Sequence, residues 1–408
     1  MRPTGRLHIG HYFGALQNWV KLQNDPSYDC FYFIADWHAM TSDYADTSAI
    51  GQNSIEIATD WLASGLDPEK SVLFLQSQVL EHAELHLLLS MVAPLGWLER
   101  IPTYKEQLDN IKDKDLHTYG FLGYPVLQCA DIVIYSEEGA PLFVPVGEDQ
   151  VSHVELSREI VRRFDFFYGF DLREEFFEDR KNWKLLAQLV HKSPHLKLPA
   201  LDARFSAEAR HEWTSAVKAE AMEEGITNFL ARDARLPALV RQRDVLREPE
   251  AMLTQTPRIP GTDGRKMSKS YGNFISLSES DESIRSKTKT MMTDPARKRR
   301  TDVGDPEKCP AYDWHKLFSP PETLAWAAEG CRTADIGCIE CKAKMADHLI
   351  RWIEPVRARR QEYEKHPGRV LEIVDAGSKK ARKVAQETMG RVREAVFGWE
   401  KKRAEVGK

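Results

Sequence analysis

Apolar positions in the first 170 residues follow two alternating spacings. Short runs, Phe31-Tyr32-Phe33-Ile34-Ala35, Ser71-Val72-Leu73-Phe74-Leu75 and Phe143-Val144-Pro145-Val146, read as buried strands. Between them Ile50, Ile55, Ile57, Ala58 and Leu62 recur at helical spacing, and further helices are expected from about Leu80 to Met91 and from about Asp149 to Phe164. This alternation predicts an α/β fold, a parallel sheet with helices on both faces, as a Rossmann-type domain over residues 1–169. In such sheets ligands sit at the carboxyl ends of the strands.

The pattern changes at Phe170. Residues 170–247 are rich in Glu, Arg, Lys and Ala and read as an inserted helical module without a cluster that suggests chemistry. Residues 248–277 contain a Gly- and Pro-rich loop, Thr254 to Asn273, with Pro257, Pro260, Gly261, Gly264 and Gly272. From about Ser278 the strand signals vanish. Asp347–Lys365 and Arg369–Phe397 have helical spacing, punctuated by Pro367-Gly368, so residues 278–408 are expected to form a helical domain.

Composition narrows the class. With 42% hydrophobic and 29% charged residues the chain is that of a globular protein, and no apolar run approaches the ~18 residues of a membrane span. The first residues are not an apolar leader, which points to the cytoplasm. The net charge of -5 hides an asymmetry, because residues 351–408 carry 16 Lys and Arg against 9 Asp and Glu. Arg285, Lys287, Lys289 and Arg297 to Arg300 add to it. Such a basic half suits a polyanion such as nucleic acid, or equally a solvated helical surface.

Cys30 and Cys129 lie in apolar surroundings and read as core packing. Cys309, Cys331, Cys338 and Cys341 differ: four thiols within 33 residues, ending in a C-x2-C pair, make a metal site the default in a reducing compartment. Zinc and iron–sulfur clusters both accept four thiolates.

Two distant strings carry the chemistry. His8-Ile9-Gly10-His11 precedes a helix containing Leu16, Trp19, Val20 and Leu22, so it lies where free N–H groups attract anions. Gly10 removes a Cβ where a nucleotide must approach, and His8 and His11 share one face. In Lys266-Met267-Ser268-Lys269-Ser270, Lys266 and Lys269 can clamp a leaving pyrophosphate, and Ser268 can donate a further hydrogen bond. Gly-rich flanks would let that loop close on the nucleotide. Together they describe binding of ATP and attack on its α-phosphate.

Met1 to His11, Gly147-Glu148-Asp149-Gln150 and Gly264 to Ser270 are similar to the class I aminoacyl-tRNA synthetases. Tyr124-Pro125…Ala130-Asp131-Ile132 and Val144-Pro145-Val146-Gly147-Glu148-Asp149-Gln150 resemble the bacterial tryptophanyl branch. The resemblance implies ATP held by Arg2, Pro3, Thr4, Gly10 and His11, with Asp149 near the ribose, Gly147 and Glu148 at the floor, and the backbone near Ile259 against adenine. Lys266, Met267, Ser268, Lys269 and Ser270 would hold the phosphates. L-tryptophan's carboxylate would attack the α-phosphate with Mg²⁺ assistance, and tRNA(Trp) would take the acyl group. No enzyme nucleophile is needed, since orientation and charge stabilisation carry such a barrier.

The same resemblance makes Asp131 the acceptor of the indole N–H, a buried group that would penalise phenylalanine. Val144 and Val146 would be walls, with Tyr124, Gln128, Gln150 and His38 as polar neighbours. It also implies a [4Fe–4S] cluster on the four cysteines, zinc being the alternative, near an anticodon-binding face. A homodimer follows, with no role for membrane or DNA. Two departures stand out. Gln128-Cys129 replaces a Met-Ala pair common in the family, and relatives have a strand before the position of Met1, so the true start is expected upstream. A tyrosyl enzyme, a non-catalytic RNA-binding paralogue and an iron–sulfur RNA-modifying enzyme are the competing readings.

Overall fold

The computed structural model describes residues 1–110, 114–200, 202–253 and 259–407. Strand β1 (Cys30–Ile34) pairs in parallel with β2 (Ser71–Leu75), with Phe33 opposite Phe74. The apolar side chains of β1 alternate between buried and half-buried, as a strand covered unequally on its two faces must. Strand β3 (Leu142–Val146) pairs in parallel with β6 (Pro249–Leu253). β1 and β3 are not hydrogen-bonded to each other, and a slot of about 630 Å³ lies between them. Met1 sits on the edge of β1: its amino group donates to Phe33 O at 2.6 Å, and Ala35 N–H donates to Met1 O at 2.8 Å.

The helices that position the site are α1 (Ile9–His11), α2 (Asp36–Asp43), α3 (Ile50–Ala63), α4 (Glu81–Ser90), α5 (Tyr119–Val133) and α6 (Val151–Gly169). α1 runs through a π turn at Tyr12–Leu16 into Gln17–Leu22, a local widening common beside functional groups. The strands β1, β2 and β3 and the flanking helices agree with the sequence pattern to within a few residues.

Three expectations need correction. β6 precedes the expected loop and carries no strand signal of its own: Pro249-Glu250-Ala251-Met252-Leu253 has no β-branched residue, so only its partner β3 reveals it. The start of the expected loop, residues 254–258, lies outside the described residues. The insert is mostly helical but is closed by an antiparallel pair, β4 (Phe170–Leu172) with β5 (Val240–Gln242). It encloses its own core around Phe176, Trp183, Trp213 and Phe229.

The C-terminal helices do not form one separate unit. α7 (Cys338–Lys365) begins nine residues earlier than its periodicity suggests, and α8 (Pro367–Phe397) returns to lie on β2. α8 buries Val370, Val374, Ala381, Ala385, Met389 and Val392, a stripe at three- and four-residue spacing. Gly377 makes this approach possible: a Cβ there would stand 1.9 Å from Leu73 O. The basic segment before α7 is also partly internal. Arg297 is buried and donates to Ile336 O at 2.6 Å and to Arg300 O at 3.0 Å, while Arg285 pairs with Asp347 at 2.7 Å.

Candidate active site

The two motif-bearing stretches are joined by backbone. Ile9 N–H donates to Ile275 O at 3.0 Å and Leu277 N–H to Leu7 O at 2.9 Å, an antiparallel contact centred on His8 and Ser276. Lys269 Nζ then reaches back to Thr4 O and Gly5 O, both at 2.9 Å. Met267 is buried in the main core, and its sulfur would lie 3.4 Å from a Cβ on Gly10. That Cβ would also stand 2.9 Å from the His8 ring, so Gly10 is required by the packing around it as well as by an approaching nucleotide.

The His8 and His11 rings stack with centroids 3.6 Å apart. His8 N–H donates to His11 Nδ1 at 3.2 Å, which leaves the proton of the neutral His11 ring on Nε2. Burial, reinforced by the Lys269 ammonium, lowers His8 to about 4. Burial, His8 and Lys269 lower His11 to about 3. Near neutral pH both are therefore uncharged N–H donors, and the positive charge here comes from the lysines. Lys266 is exposed, and Ser268 and Lys269 are half-buried.

Asn273 supports this loop and was not singled out by sequence reasoning. It accepts from Ser268 N–H at 2.8 Å and donates to Lys266 O at 3.2 Å and to Asp263 at 2.7 Å. Ser270 lies in the short turn Lys269–Tyr271. Ile259 is buried, and its carbonyl accepts from Met267 N–H at 3.4 Å. Pro3 is buried, and Arg2 donates to Ser42 Oγ and Asp43. Gly147 ends β3 and caps the turn Glu148–Gln150, where the exposed Asp149 accepts from Gln150 at 3.0 Å.

A cavity of about 340 Å³ opens beside Arg2 and is lined by Met1, His38, Tyr124, Gln128, Asp131 and Gln150, with Phe121 and His153. Asp131 is buried at its inner wall. It accepts from His38 Nε2 at 2.8 Å, His82 Nδ1 at 2.5 Å and Gln76 Nε2 at 2.8 Å. Burial pushes this carboxyl up, but the hydrogen bonds from His38 and His82 outweigh it and hold Asp131 at about 2, ionised. His82 also meets Tyr135 OH at 2.7 Å. Sequence reasoning missed Gln76 and His82; the available signal was a polar residue just past the carboxyl end of β2. Val144 borders the slot between β1 and β3, and Val146 lines neither cavity, because β3 stands away from β1.

Cys309, Cys331, Cys338 and Cys341 are free thiols. Cys338 and Cys341 share the first turn of α7, three residues apart. Among the described residues no three or more His, Cys, Asp or Glu side chains are arranged as a metal site. Cys341 nevertheless feels the other three. Burial and the charges of the other three push Cys341 up to about 12. His315, fully buried, lies 3.3 Å from Cys341 Sγ, and Arg297 faces Cys331.

The family described as tRNA synthetases class I (W and Y) matches residues 1–183 and 227–353, passing over the inner part of the insert. A tryptophan–tRNA ligase of Ralstonia nicotianae is 48% identical over 399 residues, covering 97% of this chain and 96% of its own. One from Thermotoga maritima is 42% identical over 397 residues, covering 97% of each chain. Among solved structures, a tryptophanyl-tRNA synthetase of Campylobacter jejuni complexed with ADP and tryptophan superposes with a TM-score of 0.71 at 28% identity, covering 97% of this chain and 98% of that one.

Proposed function

The chain belongs to the class I tRNA synthetases of the tryptophan and tyrosine family, and we infer that it is a tryptophan–tRNA ligase acting in the cytoplasm. It activates L-tryptophan with MgATP and passes the acyl group to tRNA(Trp). One observation carries the reading: Lys269, from a loop more than 250 positions away, hydrogen-bonds the backbone of Thr4 and Gly5 beside the stacked His8 and His11.

The residues divide the work. Neutral His8 and His11 offer N–H groups to the phosphates without placing cations next to Lys269. Lys269 and Lys266 take up charge as pyrophosphate leaves, with Ser268 between them and Ser270 just after, Gly147 to Asp149 toward the ribose and Ile259 toward adenine. Tryptophan lies in the 340 Å³ cavity, its ammonium and carboxylate near Tyr124, Gln128 and Gln150 and its indole N–H toward Asp131. His38, His82 and Gln76 keep that carboxylate ionised and fixed, so it serves as an acceptor and not as a base.

Cys309, Cys331, Cys338 and Cys341 would hold a [4Fe–4S] cluster or, failing that, zinc. Burial and the three neighbouring thiols oppose ionisation of Cys341, which a bound cation would relieve, and Arg297 and Lys342 stand by as buried positive charge. The site would brace the helical region that meets the anticodon. A homodimer is supported by Leu80, Leu87, Met91 and Leu95, large apolar side chains exposed around α4 and the turn after it.

Pyrophosphate exchange into ATP tests the reading: L-tryptophan should support it and L-tyrosine should not. Exchange driven by tyrosine, or by neither amino acid, refutes it. Light scattering of the purified protein should give twice the chain mass, with Met91→Asp shifting it to one.

A further inference from the structure

The last turns of α7 are bonded into the nucleotide site from outside it. Arg357 donates to Glu279 O at 2.9 Å and pairs with Asp281 at 2.5 Å; Arg359 donates to Ala63 O at 2.6 Å. Arg360 is the most enclosed of the three, 1% exposed. It pairs with Asp60, with Glu56 and, at 2.9 Å, with Glu364. Asp60 is fully buried, and its other oxygen accepts the Leu7 N–H at 2.6 Å.

That N–H belongs to the residue just before His8. Leu7 O in turn accepts from Leu277 N–H and from Ser276 Oγ, in the extended segment that follows the lysine loop. Arg360, Asp60 and Leu7 are thus consecutive links in one hydrogen-bonded chain ending at the backbone that both motifs share. Burial lowers the Lys269 ammonium's pKa, and the Asp60 carboxylate partly offsets this.

We propose that Arg360 is a positioning residue for amino-acid activation: by holding Asp60 it fixes the Leu7–His8 backbone, and with it the rings that meet the phosphates. A buried carboxylate without its guanidinium partner must move, recruit water or protonate, and each response releases Leu7. Cys338 and Cys341 start the same helix, about 33 Å and about 28 Å from Arg360 at ~1.5 Å per residue, so α7 runs from the thiol group to this joint. The proposal rests on the ATP site assigned above, and its test separates the two.

The full-length variants Arg360→Met, Arg360→Lys and Asp60→Asn are compared with the parent by ATP dissociation constant, tryptophan dissociation constant, exchange kinetics and melting temperature. Misplacing the histidine motif should lower kcat/KM for ATP about 30-fold in Arg360→Met, while tryptophan affinity stays within about twofold. Asp60→Asn should weaken ATP in the same selective way, and Arg360→Lys should fall between. A folded Arg360→Met with ATP parameters within about threefold of the parent, or with ATP and tryptophan weakened equally, overturns the proposal. If Arg360→Met does not fold, Arg360→Lys decides on the same split between the two ligands. Absence of exchange in the parent would count against the proposed function alone, because the ATP dissociation constants still test Arg360.

Discussion

The nucleotide cleft joins stretches more than 250 positions apart, whereas the four-cysteine corner is drawn from 33 consecutive residues, and the two are built in opposite ways. In the cleft, like-charged groups are kept apart by making two of them neutral. Burial strips the proton from His8 and His11, Lys269 is bonded to carbonyls, and main-chain pairing of residues 7–9 with 275–277 fixes the geometry without ligand. At the corner, groups that become anionic on ionisation are packed together, and Cys341 is pushed up to about 12. A scaffold of backbone bonds can hold donors ready; a set of thiols needs a cation before its members can be thiolates together.

The largest effect should come from the cleft. Lys269→Ala removes the charge proposed to meet the leaving group, so tryptophan-dependent exchange should fall about 10²–10³-fold while any iron or zinc held by the four thiols is unchanged. A loss under about threefold would mean the lysine loop acts elsewhere. The corner should show the reverse. If the four thiols hold the proposed metal, Cys341→Ser should lose it and reduce tRNA charging about tenfold, with exchange within about twofold of the parent. Equal losses in both reactions would erase the contrast between the regions.

Asn273→Ala sharpens the comparison at the level of scaffold. It removes acceptor and donors that tie Ser268, Lys266 and Asp263 together, so the ATP KM should rise about fivefold with little change in tryptophan KM. The smallest effect is on stability. His8 and His11 titrate near 6.5 when unfolded but at about 4 and about 3 in the fold. Between these values the unfolded chain binds more protons, so their contribution is complete above pH 6.5 and is lost as pH falls through about 4 for His8 and about 3 for His11. Urea unfolding between pH 7 and 5 should show this slope, reduced in His11→Gln.

What could be read beforehand followed from residues whose chemistry is local. β1 and β2 are apolar runs that bury themselves wherever the chain goes, and the histidine and lysine strings are short enough to carry their roles in their own spacing. Other features depend on partners brought from afar. β6 is a strand only because β3 lies beside it, and α8 covers β2 through a single glycine at position 377. Gln76 and His82 matter because Asp131 is placed between them, which no window along the chain contains. The insert's ribbon has the same origin, two three-residue strands about 70 positions apart.

The claim on which the rest depends is that the histidine and lysine strings act on one triphosphate. A double-mutant cycle of His11→Asn and Lys269→Ala, read by tryptophan-dependent exchange, tests it most directly. The account predicts strong coupling, with the double variant hardly slower than the worse single one. Losses that simply multiply would contradict it.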